Sequence, residues 1–145
     1  MKVRITRIFT VLRPASVVID YLKDFGHAVH WDPGTQSCRR VDSGPVRVGS
    51  VWHNVSLFIG RRVELTYRLT VLEPGRLVFA GANDSATSTD DIRVADRGPR
   101  TSEVTYQAVL ELHGLASLAA PVVKIALERI ADKTASQLRD VIGAL

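Results

Sequence analysis

Apolar and polar positions along the chain alternate first at strand spacing and then at helix spacing. Between residues 3 and 11 the apolar residues Val3, Ile5, Phe9 and Val11 fall on one face of an alternating pattern, which is typical of a half-buried strand. Pro14 begins the segment 14–22, whose apolar residues are spaced as in a helix, because proline is favoured in the first helical turn. A second short helical turn is expected over 25–31, ended by the turn-forming Asp32-Pro33-Gly34.

The region from Thr35 to Leu112 predicts an antiparallel meander. Strand-like runs alternate there with turn signals such as Asp42-Ser43-Gly44-Pro45 and Glu73-Pro74-Gly75, and turns at this spacing favour strands paired with their neighbours. Apolar and polar residues alternate most clearly in two runs, 62–72 and 103–112. Their predicted inward residues are Val63, Leu65, Tyr67, Leu69 and Val71 in the first run, and Val104, Tyr106, Ala108, Leu110 and Leu112 in the second.

The last part of the chain, 120–145, predicts one long amphipathic helix with Pro121 in its first turn. Its beginning is apolar nearly all round, because Leu118, Val122 and Ile125 lie in the sector that later carries charged residues. Such a patch is seldom left exposed without a binding purpose. We expect the segment 14–25 to cover it. A homodimer is the second alternative and a membrane surface the third.

Composition and charge narrow the class of protein. With 145 residues, 46% of them hydrophobic, the chain is expected to form one domain over 1–145. No apolar run is long enough for a membrane span and the N-terminus lacks a signal-peptide block, so a cytoplasmic protein without stable membrane insertion is expected. Cys38 is the only cysteine and the four histidines lack ligand spacing, so no metal site is assigned. The net charge of +4 comes from dispersed arginines, which does not favour a nucleic-acid partner.

The order of the predicted elements is strand, two short helices, six strands and a long helix. This order resembles the polyketide cyclase/dehydrase and lipid-transport branch of the START-like (SRPBCC) superfamily. The resemblance covers the whole chain and implies an α+β helix-grip fold, in which a curved seven-stranded antiparallel sheet surrounds the C-terminal helix and two short helices follow strand one. It rests on residues 13–22 (RPASVVIDYL), 30–34 (HWDPG), 48–52 (VGSVW), 60–67 (GRRVELTY), 72–79 (LEPGRLVF), and Thr105-Tyr106 leading to Gly114.

The resemblance implies a cavity between sheet and helix that holds a small hydrophobic ligand. Since the superfamily uses one scaffold for several functions, the sequence leaves alternatives open. The first is a carrier or sequestering protein for a lipid or an aromatic, polyketide-like molecule. The second is a polyketide cyclase or dehydratase acting in the same cavity, and the third is an accessory protein that grips a partner. No cofactor is expected.

Asp90 is the first candidate for chemistry. Its register with Ile92 and Val94 points it inward with Ser88. A buried carboxyl without a cation would have a raised pKa and could act as a general acid or base, whereas an arginine partner would neutralise it. The rarity of fully buried aspartate favours a third interpretation, in which Asp90 lies near the rim and is hydrogen-bonded in a turn.

The remaining candidates depend on strand register. In the strand predicted over residues 50–59, either face could point inward, and we prefer the aliphatic face. If that face is inside, His53 also points inward and could act as a general base. If the other face is inside, Trp52 and Asn54 line the pocket. Tyr67 and Tyr106 could orient a ligand oxygen or be core tyrosines. The proposed ligand-binding residues are Trp31, Trp52, Asn54, Tyr67, Phe79, Asp90, Tyr106, Val123 and Leu127, and the catalytic candidates are Asp90 and His53.

Overall fold

The computed structural model describes residues 1–145. Seven strands, three α-helices and two 3-10 turns follow the predicted order. The strands are β1 (Lys2–Val11), β2 (Thr35–Arg40), β3 (Val51–Phe58), β4 (Arg61–Glu73), β5 (Arg76–Ala82), β6 (Ala86–Gly98) and β7 (Thr101–Leu112). The helices are α1 (Ala15–Leu22), α2 (Ala28–Trp31) and α3 (Ala120–Gly143), with 3-10 turns at Phe25–His27 and Gly114–Ala119.

All seven strands form one antiparallel sheet in the order β1-β7-β6-β5-β4-β3-β2. Six consecutive strands are therefore joined as neighbours, and β1 pairs with β7 across the full register from Lys2–Glu111 to Val11–Ser102. The sheet is curved around α3, which confirms the helix-grip fold. Register shifts between Leu69 and Val71 and between Asp96 and Gly98 mark β-bulges, a feature that bends a strand and increases its twist.

The main core lies at one end of the sheet, beneath α1, the first 3-10 turn and α2. Phe25 is at its centre: its ring contacts Tyr67 and Phe79, each at a centroid distance of 4.5 Å, and meets Trp31 and Trp52 edge-on. The C-terminal half of α3 completes this core with Ala135, Leu138 and Ile142. Its N-terminal half instead belongs to a smaller cluster that includes Val3, Leu112 and Val123.

Two arginines fasten α3 to β1 and to the segment that follows it. The Arg7 guanidinium lies 2.9 Å from the Glu128 carboxylate and 2.8 Å from the Asp132 carboxylate, and both pairs involve partly exposed groups whose stabilising contribution is small. Arg13 donates to the carbonyls of Gly143 and Leu145, which otherwise lack partners at the helix end. These contacts hold the helix across the open side of the sheet.

The register of β3 differs from the preferred prediction. Trp52 and Asn54 point inward and are buried, whereas His53 points outward, so the expectation of an aliphatic inner face is wrong. The Trp52 indole N–H donates to Asp24, and Asn54 bonds with Thr35 and Ser56. These partners satisfy the polar atoms that burial would otherwise leave unpaired, and burying the large indole adds apolar contact.

The apolar patch before and at the start of α3 is exposed, which corrects the expectation that residues 14–25 cover it. Leu118 is 79% exposed, and Val122 and Ile125 are each 59% exposed. The reason is that α1 packs over β5 and β6, with its buried face, Val18, Ile19 and Leu22, directed into the main core. None of the helices is both long and apolar enough to span a membrane.

Candidate functional site

A cavity of about 740 Å³ lies between the sheet and the N-terminal half of α3. Of the 29 residues that line it, 18 are hydrophobic, and both the size and the apolar wall are typical of a small-molecule site. Five strands, β1, β3, β4, β6 and β7, supply the wall together with the helix. Its aliphatic part comes from Leu65 of β4, Ala108 and Leu110 of β7, and Val123, Leu127 and Ile130 of α3.

The inner end of the cavity, next to the main core, carries four oxygen-bearing side chains: Asp32, Tyr67, Asp90 and Tyr106. Tyr67 belongs to the main core cluster and Tyr106 packs against it. Asp32 follows α2 directly, and Asp90 lies on β6 opposite Phe79 of β5 and Ala108 of β7. We name these four residues the oxygen cluster.

Asp90 is a buried carboxyl with one hydrogen bond. It is 6% exposed, and its Oδ1 accepts from the Tyr106 hydroxyl at 3.3 Å. Burial, and then the charge of Asp32, raise its pKa to about 7, against a smaller lowering by Tyr106. At neutral pH the group therefore exists in both protonation states, which suits a proton donor or acceptor. The expectation that Asp90 lies at the rim in a turn is wrong, because β6 begins four residues earlier, at Ala86.

Asp32 is the second carboxyl at the inner end. Its oxygens accept from the Thr35 hydroxyl at 2.7 Å and from the Gly34 backbone N–H at 3.1 Å. These bonds make a local turn and act to lower its pKa, but burial outweighs them and raises it. Asp32 therefore has a local structural role as well as a place in the cavity wall.

The two tyrosines supply hydroxyl groups. Burial and the charge of Asp90 hold the pKa of each well above its usual range, so both hydroxyls stay protonated at neutral pH. The Tyr106 hydroxyl bonds to Asp90. Tyr67 is 7% exposed, and the neighbouring Ser88 side chain acts to lower its pKa against these two larger effects.

Five of the nine predicted ligand-binding residues line the cavity: Tyr67, Asp90, Tyr106, Val123 and Leu127. The other four lie outside its lining, which corrects their assignment to the pocket wall. Trp31, Trp52 and Phe79 are packed in the main aromatic core instead, and Asn54 is buried on β3 in bonds to Thr35 and Ser56.

His53 does not reach the cavity, which corrects its assignment as an inward general base. Its ring lies on the outer face of the sheet, with Nε2 3.0 Å from the Glu64 carboxylate and 41% of the side chain exposed. Cys38 also has no catalytic setting, because burial raises its thiol pKa to about 11 and only the thiolate is a good nucleophile.

Sequence reasoning missed that Asp32 belongs to the cavity. In Asp32-Pro33-Gly34 an aspartate is typical of a turn, and periodicity does not show which turn closes over a pocket. Thr134 of α3 also lines the cavity, and its hydroxyl donates to the Ile130 carbonyl within the helix. It was assigned to neither face of that helix from the sequence. Ser88 and Ala108 were placed inward by strand register, and both line the cavity.

The outer end of the cavity is a mouth that combines apolar side chains with Arg61 and Arg62 at the start of β4. It is bordered by Leu57, Phe58 and Ile59 at the β3–β4 turn and by Ala119 and Val122 at the start of α3. Ile59 has φ 51°, a left-handed conformation that is strained for a β-branched residue. The chain thus keeps an exposed apolar side chain at a position where asparagine or glycine would fit with less strain.

A second depression, of about 460 Å³, lies between α1 and the β4–β5 turn, but only three of its nine lining residues are hydrophobic. It is a poor match for an apolar ligand. The cavity between sheet and α3 is therefore the candidate site.

A curved sheet that encloses a ligand-sized cavity against one long helix defines the helix-grip class of protein. The sequence model described as polyketide cyclase / dehydrase and lipid transport matches residues 2–143. The chain belongs to this family. Its fold and membership fit either hydrophobic ligand binding or polyketide cyclase-type chemistry. No curated protein matches the sequence.

Several solved structures share the fold. The Zhui aromatase/cyclase from Streptomyces sp. R1128 superposes with a TM-score of 0.77 at 12% identity, over 99% of this chain and 93% of that one. A START superfamily protein from Mycobacterium smegmatis gives 0.79 at 13% identity, over 96% of each chain. A protein from Thermus thermophilus gives 0.79 at 15% identity, over 99% of this chain and 98% of that one. At these identities the likeness establishes the fold.

Proposed function

We propose that this protein binds a small hydrophobic ligand in the cavity between the sheet and α3, as a carrier or sequestering protein. The observation that carries the proposal is the cavity itself, which measures about 740 Å³ and is mostly apolar. An apolar molecule of drug-like size would bury most of its surface there. Lipids and aromatic, polyketide-like molecules are the ligand classes that fit this wall.

A binding assay with a cavity-filling variant tests the proposal. Nile red, a neutral apolar dye, is titrated into the wild type, Ala108→Phe and Ala95→Phe. Ala108 lines the cavity, whereas Ala95 is exposed on the outer face of β6, so the second variant adds the same ring outside the cavity. We expect the wild type and Ala95→Phe to bind the dye and Ala108→Phe to lose binding. Equal binding by both variants would place the dye elsewhere and contradict the proposal.

We infer a cyclase or dehydratase as the second candidate function, and Asp90 is the observation that favours it. As a carboxylate, Asp90 could remove a proton from the carbon next to a ketone. The carbanion would attack a second carbonyl carbon, and the protonated Asp90 would return the proton to the new alkoxide. Such a step balances without a cofactor and needs an acid–base group with a pKa near neutral, which Asp90 has.

The enzyme function is tested with a poly-keto thioester analogue in wild type, Asp90→Asn and Asp91→Asn. Asp91 carries the same charge one residue along but pairs with Arg76 on the outer face. Catalysis by Asp90 predicts loss of turnover in Asp90→Asn alone, with Nile red affinity retained in both variants. Equal turnover in Asp90→Asn and the wild type would exclude Asp90 as the catalytic group.

A further inference from the structure

The inner end of the cavity holds two carboxyl groups that have no basic partner in the protein. Neither Asp32 nor Asp90 takes part in any ion pair. The cavity wall contains no lysine or histidine, and its two arginines, Arg61 and Arg62, lie at the start of β4, at the mouth. Buried carboxylates are normally paired with a cation or held by several hydrogen bonds.

The elements around Asp90 offer it little compensation. On β7, Tyr106 gives one hydrogen bond at 3.3 Å, and Ala108 directly opposite gives none. From β4 comes Tyr67, whose hydroxyl lies near Ser88, and from the turn after α2 comes Asp32, a second carboxyl that raises the pKa of Asp90. The part of α3 that lines the cavity, from Val122 to Thr134, contributes no ionisable side chain to the wall.

The oxygen cluster therefore contains two acids without a basic partner and two phenol hydroxyls, all lining a cavity that is otherwise mostly apolar. Carboxylate and phenol oxygens can all accept a hydrogen bond from an ammonium group. We propose that the ligand of this cavity is a hydrophobic amine, whose protonated nitrogen binds at the oxygen cluster and whose apolar body lies along the aliphatic wall. This proposal rests on the proposed binding function and names its ligand class.

Charge distinguishes an amine from the other head groups. An acidic head group would meet two carboxyls and no cation, and like charges at short range in a buried site repel strongly. A neutral alcohol or ketone could bond to Tyr67 or to protonated Asp90, but would gain nothing from the negative charge of an ionised carboxylate. A cation gains from both acids, and charge-assisted hydrogen bonds are about twice as strong as neutral ones.

Three ligands of the same chain length test the proposal: octylamine, octanol and octanoate, titrated by calorimetry into the wild type, Asp90→Asn and Asp91→Asn. At about pH 8, where a group with the pKa of Asp90 is mostly ionised, we expect the amine to bind about tenfold tighter than the alcohol and the acid to bind weakest. At about pH 5 this preference should shrink, because Asp90 becomes protonated while the amine keeps its charge.

The variants locate the effect. Asp90→Asn should reduce the preference for octylamine over octanol, leaving only the share that Asp32 supplies, and Asp91→Asn should keep the wild-type preference, because Asp91 lies on the outer face with Arg76. The pH comparison in the wild type serves the same purpose if Asp90→Asn fails to fold. Binding of octanol as tightly as octylamine at about pH 8, or an unchanged preference in Asp90→Asn, would overturn the amine proposal while leaving hydrophobic binding intact. Failure of Nile red to bind would overturn both.

Discussion

Gly81 lies directly opposite Tyr67 on the neighbouring strand and leaves the space that the tyrosine ring occupies. A Cβ added at Gly81 would lie 2.6 Å from the ring atom Cε1, far closer than side chains normally approach. The glycine is thus what lets the Tyr67 ring lie flat on β5, with its hydroxyl in the oxygen cluster.

Replacing Gly81 with alanine should therefore destabilise the fold and move the Tyr67 ring. We expect a loss of about 1–3 kcal/mol in the free energy of unfolding, the usual cost of overpacking, measured by urea denaturation. Gly143→Ala is the matched control, because an added Cβ there meets nothing within 4 Å. Equal stability of Gly81→Ala and Gly143→Ala would show that the ring is not confined as described.

Two leucines of α3 should respond differently to truncation. Leu138 is fully buried in the main core, whereas Leu127 is only partly buried and borders the cavity. We expect Leu138→Ala to cost about 2–5 kcal/mol, because it leaves a new void, and Leu127→Ala to cost below about 1.5 kcal/mol, because it enlarges a space that already exists. Urea unfolding of both variants measures the difference. Equal costs would mean that Leu127 is packed as tightly as the core.

The pH dependence of stability should carry the signature of Asp90. Folding raises its pKa from 3.8 to about 7, so the native state binds a proton that the unfolded chain releases between these values. This contribution to stability is complete below about pH 4 and is lost as the pH rises to about 7, amounting to roughly 4 kcal/mol. Asp32, whose pKa is also raised, acts in the same direction.

The comparison of wild type with Asp90→Asn isolates this contribution, because asparagine resembles the protonated acid in shape. We expect the two proteins to have similar free energies of unfolding near pH 4 and the variant to become the more stable one above about pH 7. Parallel curves across this range would show that Asp90 ionises as freely in the native state as in the unfolded chain.

The exposed patch at the start of α3 yields a prediction about assembly. Leu118 and Val122 are both exposed, so Leu118→Glu with Val122→Glu should fold with an unchanged melting temperature, since surface substitutions usually have small effects. Unfolding of this double variant would contradict the exposed position of the patch. Sedimentation of wild type and variant also tests the alternative of a homodimer through this patch, which requires a wild-type dimer and a monomeric variant.

The sequence predicted the fold well because most elements bury one clear face. In β4 and β7 the apolar residues alternate strictly, and in α3 they recur at helical spacing, so Tyr67, Tyr106 and Val123 were placed inside by period alone. Strand β3 lacked this signal, since both of its faces are apolar and the partners that decide its register, Asp24 and Thr35, are remote in sequence.

The candidate site was predictable only in part. The strand register placed the Asp90 side chain on the inner face of the sheet. Alternation of apolar and polar residues shows which face a residue is on but not how far from the sheet edge it lies, so the burial of Asp90 in the middle of the sheet was missed. The position of Asp32 in the wall depends on how α2 and its turn close over the sheet, and the exposure of Leu118 depends on where α1 packs. Both are tertiary relationships that no local pattern encodes.

Entry of an apolar ligand into the space between the sheet and α3 is the event on which both proposals for this cavity depend. An NMR titration with octanol, following backbone amides and side-chain methyl groups, tests it most directly. We predict that the largest shifts fall on residues from opposite walls of the cavity, such as Leu65, Ala108 and Leu127. Shifts confined to the exposed residues Leu115 and Leu118, or to Ala15 and Ser16 in the depression beside α1, would contradict it.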